Sequence, residues 1–214
     1  MSGLLSVLSC GSVDYASAYA DQCALVEQRQ RGMITDTLML VEHNPVITVG
    51  RRTDASHLLT TKEYLASKGV ALHTTERGGE ATYHGPGQAV CYLIADMAVV
   101  NHDVRQFIWN LEEAVIRVLS RDYDLQSGRA PEHRGVWIDD KKIAAVGVAF
   151  KHGVSMHGIA LNVNVDMTPF SYIVPCGIPD RGVTSLREVR GAPAVMTDVF
   201  SSLAAAIKEV FVYE

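Results

Sequence analysis

Helical periodicity marks three segments of the chain. Apolar residues recur every three or four positions through residues 103–120, and Asp103 stands where an N-cap residue is favoured. Residues 197–213 repeat this spacing. In residues 13–29 the aromatic and apolar side chains fall on one helical face, and Asp14 can cap the segment. The pattern therefore predicts three amphipathic helices.

Runs of apolar and β-branched residues predict strands between these helices. The predicted strands are residues 37–41, 46–49, 89–94, 135–139, 143–150 and 155–164, with turns at residues 42–45 and 140–141. Because strands follow one another in runs, the pattern favours an α+β fold in which helices sandwich a mixed, largely antiparallel sheet. Neither a Gly-x-Gly-x-x-Gly motif after a strand nor a Gly-x-x-x-x-Gly-Lys-Ser/Thr motif occurs, which disfavours a doubly wound nucleotide fold.

A glycine-rich segment lies between two of the apolar runs. It reads Arg77-Gly78-Gly79-Glu80-Ala81-Thr82-Tyr83-His84-Gly85-Pro86-Gly87-Gln88. Glycine lets a ligand approach the backbone closely, and the other side chains here can form hydrogen bonds. A long hairpin connection is the alternative for any single glycine. The whole cluster favours a substrate-binding loop, because binding groups concentrate on loops held by a rigid scaffold.

Composition and charge exclude several classes of protein. A hydrophobic content of 48% with 20% charged residues is typical of a globular protein, and 214 residues are enough for one domain. The formal net charge of −5 argues against general nucleic-acid binding. No apolar run is long enough to span a bilayer, and the first ten residues make a poor signal peptide. We therefore expect a cytoplasmic protein with no membrane or nucleic-acid partner.

The four cysteines, at positions 10, 23, 91 and 176, form no Cys-x-x-Cys pair, which argues against a zinc site. Cys176 stands out because proline precedes it and glycine follows it, so its thiol lies on a short, stiff turn. Local sequence alone slightly favours a buried, inert cysteine. A nucleophilic thiol would need an activating neighbour, for which His84, His157 and Lys142 are the candidates.

Four ordered motifs resemble the lipoyl(octanoyl) transferases, and the resemblance covers nearly the whole chain. The first is the segment from Arg77-Gly78-Gly79 to His84-Gly85-Pro86-Gly87-Gln88; the second joins Gly135-Val136-Trp137 to Lys142-Ile143-Ala144-Ala145-Val146-Gly147. The third is Met156-His157-Gly158-Ile159-Ala160-Leu161-Asn162, and the fourth runs from Ile173-Val174-Pro175-Cys176-Gly177-Ile178 to Val183-Thr184-Ser185-Leu186. The family fold, shared with biotin and lipoate ligases, agrees with the α+β prediction.

The resemblance implies a single catalytic domain, residues 1–214, that transfers an octanoyl group through a thioester on Cys176. Lys142 falls on the family's paired lysine, which would lower the thiol pKa and shuttle protons. It also implies an acyl-binding site made by Arg77, Gly78, Gly79, Glu80, Ala81, Thr82, Tyr83, His84, Ala145, Val146, Gly147, Gly158, Ile159 and Ala160. No metal and no cofactor are implied.

The implied donor is octanoyl-acyl carrier protein. The implied acceptors are the lipoyl domains of 2-oxoacid dehydrogenases and the glycine cleavage H protein, in the first step of protein lipoylation in lipoate biosynthesis. Three alternatives stay open: an ATP-dependent lipoate ligase, an amidotransferase between lipoyl-domain proteins, and a binding module with an inert Cys176. An octanoyl-enzyme formed without ATP would separate the transferase from all three.

Two positions depart from the family pattern, and the charge balance needs an explanation. Glu80 adds a negative charge near the substrate loop, and Cys91 takes a place often held by glycine. The implied partners are acidic, as is this chain, so docking needs a local basic surface. The candidates are Arg51, Arg52, Arg77, Lys151 and Arg181.

Overall fold

The computed structural model describes residues 3–174 and 181–214, so Cys176 lies outside the described residues. The strands of the described part are β1 (Leu5–Val13), β2 (Asp36–His43), β3 (Val46–Val49), β4 (Ala71–Thr74), β5 (Ala81–His84), β6 (Gln88–Ile94), β7 (Gly128–Ala130), β8 (His133–Ile138), β9 (Lys141–Lys151) and β10 (Val154–Asn162). Its α-helices are α1 (Tyr15–Gln30), α2 (Lys62–Ser67), α3 (Val104–Tyr123), α4 (Leu186–Arg190) and α5 (Met196–Phe211).

The strands form two sheets. A seven-stranded sheet has the order β1-β2-β6-β10-β9-β8-β7, and a three-stranded sheet has the order β4-β3-β5. In the large sheet β1 runs parallel to β2, and the other neighbours are antiparallel. In the small sheet β3 runs parallel to β4 and antiparallel to β5. The predicted α+β fold with a mixed, largely antiparallel sheet is confirmed.

Alternate residues of the large sheet pack against different helices, as the two-residue period of a strand requires. On one face Leu93 and Leu161 join a buried cluster with α3 and α5. On the other face Tyr92 and Ala160 join a cluster with α1. The large sheet is therefore covered by helices on both faces, and the small sheet adds a third cluster that contains Tyr83 and Phe170.

The sequence misassigned the N-terminal region. Residues 5–13 form β1, whereas the predicted helix began at Val13; α1 begins at Tyr15. Strand β1 lies at the edge of the sheet and only Leu5 is buried, so the segment has no alternating apolar pattern to reveal it. Asp14 precedes α1 but makes no side-chain cap bond; its Oδ1 accepts from Asn44 Nδ2 at 2.7 Å instead.

Further differences from the predictions concern helix α3, the turn between β8 and β9, and the glycine-rich segment. Helix α3 has the expected cap, since Asp103 Oδ1 accepts from the backbone N–H of Arg105 and of Gln106, but Val104 is 43% exposed rather than on the buried face. The turn between β8 and β9 lies at residues 139–140, and Lys141 already belongs to β9. The glycine-rich segment is not one loop, because four of its residues form β5. No helix in the described ranges has both the length and the apolarity to cross a membrane.

Candidate active site

A cavity of about 370 Å³ lies between the α1 face of the large sheet and the small sheet. This volume is within the usual range of small-molecule pockets, about 300–1,000 Å³. The large sheet contributes residues of β6, β8, β9 and β10, while β5 and the segment before it contribute the facing wall. The cavity is therefore built from strands that come from distant parts of the chain.

The two predicted apolar segments meet in this cavity. In the β9–β10 pair, Ala145 lies opposite Ala160, and Gly147 lies opposite Gly158. All six residues predicted on these two strands line the cavity: Ala145, Val146, Gly147, Gly158, Ile159 and Ala160. Lys142 and His157 of the same strands line it too. A Cβ atom on Gly158 would collide with the carbonyl oxygen of Cys91, so this glycine allows β6 and β10 to pair closely.

The predicted residues 77–84 divide into two sets. Those that line the cavity are Arg77, Gly79, Glu80, Thr82 and His84. Gly78, Ala81 and Tyr83 do not line it. Gly78 donates its backbone N–H to the Val148 carbonyl, while Ala81 and Tyr83 belong to the apolar cluster of the small sheet. The alternation of β5 explains this division, because successive strand residues point to opposite faces.

The buried side chain of Arg77 forms part of the cavity wall and does not lie on a docking surface. Arg77 is 7% exposed, and its Nη2 donates to both the carbonyl oxygen and the Oγ1 of Thr48 at 2.8 Å. Lys151 is also engaged, with Nζ 3.4 Å from Glu76 Oε1. The burial of its guanidinium therefore argues against the docking candidate Arg77. Arg51, Arg52 and Arg181 are exposed.

The negative charge that Glu80 adds has a counterion. Arg52 Nε lies 3.5 Å from Glu80 Oε1, and both residues line the cavity. Arg52 is mostly exposed, so screening makes the pair weak. Arg52 therefore offsets the negative charge at position 80 only weakly.

Lys142 is buried beside the cavity, whereas its neighbour Lys141 is exposed. The backbone N–H of Lys142 donates to the Gly182 carbonyl at 3.0 Å, and its own carbonyl accepts from Thr184 N–H at 3.0 Å. Its ammonium lies 5.0 Å from the centre of the Trp137 ring, a cation–π distance. The strand start thus fixes Lys142 against residues 182–184, which follow Cys176 closely in the chain.

Gly135 makes room for the Lys142 side chain. Its φ is +114°, and an added Cβ would come within 3.3 Å of Lys142 Cδ and would collide with the Ala144 carbonyl oxygen. The backbone N–H of Gly135 donates to Glu112 Oε1 at 2.8 Å. The Gly135-Val136-Trp137 motif therefore contributes two features to the Lys142 site: a glycine that leaves space for the side chain, and an aromatic ring close to the ammonium group.

The two histidines that could have activated a thiol are held neutral. Burial lowers the pKa of His84 well below its usual value, and nearby His43 and Arg77 act in the same direction. Burial also lowers the pKa of His157 to about 4, although Glu76 opposes the shift. A neutral imidazole does not stabilise a thiolate by charge. Of the three candidates named from the sequence, Lys142 is the one that brings an ammonium group to the cavity.

Several residues that line the cavity belong to none of the sequence motifs. They are Tyr15, Val90, Tyr92, Glu132, His133 and Arg134, together with Arg52, which the sequence had singled out for docking. Tyr15 comes from the first turn of α1, and Tyr92 comes from the buried face of β6. A periodic pattern assigns such residues to a core, and only the packing of α1 over the sheet reveals that they border a cavity.

Comparison with known proteins agrees with this geometry. The family model of the lipoyl protein ligase A/B catalytic domain matches residues 14–208. The chain belongs to this family. The octanoyltransferase of Alkaliphilus metalliredigens is 45% identical over 210 residues, covering 98% of this chain and 96% of the relative. That of Rubrobacter xylanophilus is 45% identical over 202 residues, with 94% and 90% covered. The predicted family membership is confirmed.

Solved structures show the same fold at low identity. A bipartite lipoate protein ligase from Thermoplasma acidophilum is similar with a TM-score of 0.73 and 19% identity, covering 100% of this chain and 85% of that one. A biotin protein ligase from Aquifex aeolicus gives a TM-score of 0.62 and 17% identity, covering 97% and 70%. The fold that the sequence motifs implied for this family is therefore confirmed.

Replacing Gly79 with alanine should weaken substrate binding in this family member as well as folding. Gly79 lines the cavity with φ +92°, and an added Cβ would press on Arg77 Nη1 at 3.4 Å. We expect a stability loss of about 1–2 kcal/mol from the strained backbone, and a KM for the octanoyl donor raised about tenfold by the narrowed cavity. Thermal unfolding and steady-state kinetics measure the two effects.

Gly153→Ala is the matched control for Gly79→Ala. Gly153 has φ +82° in the β9–β10 turn, and nothing lies within 4 Å of its added Cβ. It should lose comparable stability with an unchanged KM. Equal KM values in the two variants would show that Gly79 serves the turn alone.

Folding stability should fall with acid because buried histidines stay neutral. The folded pKa of His157 is about 4, whereas an unfolded histidine titrates at about 6.5. Below pH ~6.5 the unfolded chain therefore binds the extra proton, and stability falls until the folded pKa is reached. His157→Asn should remove up to about 1.4 kcal/mol per pH unit of this dependence. Asparagine suits the backbone there, since φ is +61°.

Urea unfolding at pH 7 and pH 5 measures this slope. His152→Asn is the control, because His152 also has a positive φ, 47°, but is exposed in a turn. The pH dependence of unfolding free energy that remains in both variants comes in part from His43 and His84, because burial also lowers their pKa values. A wild-type slope in His157→Asn would mean that His157 is protonated in the folded protein.

Proposed function

We propose that the chain transfers an octanoyl group from octanoyl-acyl carrier protein to the lysine of a lipoyl domain, through a thioester on Cys176. The octanoyltransferases that cover nearly its whole length at 39–45% identity confirm octanoyl transfer in protein lipoylation and an acyltransferase activity. The observation that carries the finer proposal is the buried Lys142 at the edge of the cavity, held against the segment that follows Cys176.

The cavity supports a medium-length acyl substrate. Its wall on the large sheet includes a group of small and apolar residues: Val90, Ala145, Ile159 and Ala160. Each buried methylene contributes about 0.8 kcal/mol, so the hydrocarbon tail of an octanoyl group supplies several kcal/mol before the ordering cost of binding. Polar residues such as Thr82 and His84 line the facing wall. The reacting thioester and amine can lie beside them.

The chemistry proceeds in two balanced steps. The Cys176 thiolate attacks the donor thioester, the carbonyl carbon forms a new bond to sulfur, and the carrier thiolate leaves and takes a proton. The amine of the acceptor lysine then attacks the enzyme thioester, the carbon–sulfur bond breaks, and an amide forms with loss of one amine proton. Lys142 serves as the group that gives and receives these protons. Both steps use the energy of the thioester, so ATP is not required.

We expect the acceptors to be the lipoyl domains of 2-oxoacid dehydrogenases and the glycine cleavage H protein, and the protein to act in the cytoplasm. Such acidic partners need a basic surface near the cavity. Arg52 and Arg134 are exposed and line the cavity, and the guanidinium carbon of Arg181 lies 5.3 Å from the centre of the Trp137 ring beside Lys142. These three arginines form the proposed docking surface; Arg77 is excluded by its burial, and Lys151 does not line the cavity.

Intact-mass spectrometry with octanoyl-acyl carrier protein tests this function. The protein should gain one octanoyl group without ATP, peptide mapping should locate it on Cys176, and a lipoyl domain added afterwards should remove it and gain the same mass. Cys23→Ser is the control and should still be acylated. Labelling only in the presence of ATP would indicate a ligase, and acyl transfer without a covalent intermediate would contradict the thioester.

A further inference from the structure

A chain of buried hydrogen bonds joins the cavity to the residues beside Lys142. His84 Nδ1 lies 2.7 Å from Gln88 Oε1, and Gln88 Nε2 donates to Asn162 Oδ1 at 2.8 Å. Asn162 Nδ2 in turn donates to the Thr184 carbonyl at 3.0 Å, and Thr184 N–H donates to the Lys142 carbonyl at 3.0 Å. All five residues are buried. We call His84, Gln88, Asn162 and Thr184 the amide relay.

Backbone carbonyls fix the direction of the amide relay. A carbonyl oxygen only accepts, so the Asn162 nitrogen must face Thr184 and the Asn162 oxygen must face Gln88. Gln88 Nε2 also donates to the Tyr83 carbonyl at 3.1 Å, which gives the same orientation independently. The Gln88 oxygen must therefore face His84, and His84 Nδ1 must carry the proton.

The relay thus determines what His84 presents to the cavity. With the proton on Nδ1 of a neutral imidazole, Nε2 has a free lone pair. His84 lines the cavity, and within the described ranges its Nε2 has no hydrogen-bond partner, whereas His43 Nε2 has one in Tyr92 Oη at 2.7 Å. An acceptor that lines a cavity and has no partner among the described residues can be paired by a ligand that brings an N–H or O–H group.

We propose that Gln88 and Asn162 are positioning residues that hold His84 Nε2 as a hydrogen-bond acceptor for the attacking amine. The inference rests on the proposed function, in which the acceptor lysine is the N–H donor that enters the cavity. His84 receives a hydrogen bond and no proton, so proton transfer stays with Lys142. Through Thr184 the same relay holds residues 182–184 at the start of β9.

The state of His84 is measured first, because the measurement is made on the wild-type protein and needs no activity. Nitrogen-15 NMR of the histidine rings, with His84→Gln used for assignment, should show Nδ1 protonated and Nε2 unprotonated from pH 6 to pH 8. A ring that is protonated on Nε2, or on both nitrogens at pH 7, would overturn the proposal. The result holds whether or not the protein transfers octanoyl groups, so failure of the relay and failure of the proposed function are distinguishable.

Gln88→Glu tests the relay in the reaction. The carboxylate still accepts from His84 Nδ1, but it cannot donate to Asn162, and its charge favours the doubly protonated ring, whose Nε2 would donate. We expect acylation of Cys176 within about twofold of wild type and amide formation slowed about tenfold or more. An equal loss in both steps, or no loss in either, would contradict the assigned role.

Asn162→Asp removes the donor to the Thr184 carbonyl while keeping the acceptor for Gln88. The matched control is Asn164→Asp, because Asn164 Nδ2 donates to the Ala194 carbonyl at 2.8 Å, outside the relay. We expect Asn162→Asp to slow transfer about tenfold, and Asn164→Asp to stay within about twofold of wild type. Equal rates in the two variants would show that the Asn162 bond is structural only.

Discussion

Cys176→Ser should abolish octanoyl transfer while leaving the folded protein intact. The substitution changes one atom, but a serine hydroxyl ionises far less readily than a thiol and forms an ester in place of a thioester. We expect the rate to fall by several orders of magnitude, as when other enzymes lose a nucleophile. Transfer to a lipoyl domain, followed by mass spectrometry, measures the loss, and a circular dichroism melt checks the fold.

Cys91→Ser is the control for this prediction. Cys91 is fully buried in β6, and burial raises the pKa of its thiol to about 12, so it carries no reactive thiolate near neutral pH. This variant should lose some stability by placing a hydroxyl in the core, yet retain transfer. Near-normal turnover in Cys176→Ser would rule out the thioester route, and an inactive but folded Cys91→Ser would require a role for that thiol.

The sequence predicts those elements whose pattern is strong. Helix α3 emerged with its cap because Asp103 and the apolar spacing point to the same boundary. The sequence also predicted strands β6, β9 and β10, because they are buried and apolar through most of their length. Strands β1 and β4 did not, since their residues are largely exposed and carry no two-residue alternation. The local sequence pattern of a strand thus reflects how much of the strand is buried, and edge strands are buried only slightly.

The candidate site divides in the same way. Motif resemblance identifies Lys142 and the segments at 145–147 and 158–160, and the structure brings these together around one cavity. Sequence alone leaves Lys142, His84 and His157 equivalent as activators; only their burial, which lowers the pKa of both histidines, separates them. The burial of Arg77 against Thr48 depends on how β3 meets the segment before β5, and no local pattern encodes that contact.

Lys142→Ala should raise the pH at which the Cys176 thiol becomes reactive. An ammonium near a thiolate stabilises the charged form, by the logic that lowers carboxylate pKa values by about 1–3 units beside an arginine. We therefore expect half-maximal iodoacetamide labelling of Cys176 to move upward by about one pH unit or more in this variant. Labelling must be followed on the Cys176 peptide, because Cys10 and Cys23 are partly exposed. Lys141→Ala is the control, since Lys141 is exposed at the preceding position and should leave the profile unchanged.

Lys142→Arg separates the charge of Lys142 from its proton transfer. A guanidinium keeps the positive charge, so the thiol should ionise nearly as in wild type, but it does not give up its proton in proteins. Thiol ionisation should therefore survive in Lys142→Arg, whereas both steps, which need Lys142 to give or receive a proton, should slow by about 10²-fold or more, the usual contribution of general acid–base catalysis. In Lys142→Ala both steps should slow.

If the thiol labels at the same pH in wild type and Lys142→Ala, Lys142 does not activate Cys176. If Lys142→Arg supports both steps at the wild-type rate, its role is electrostatic, and the base that accepts the amine proton lies elsewhere.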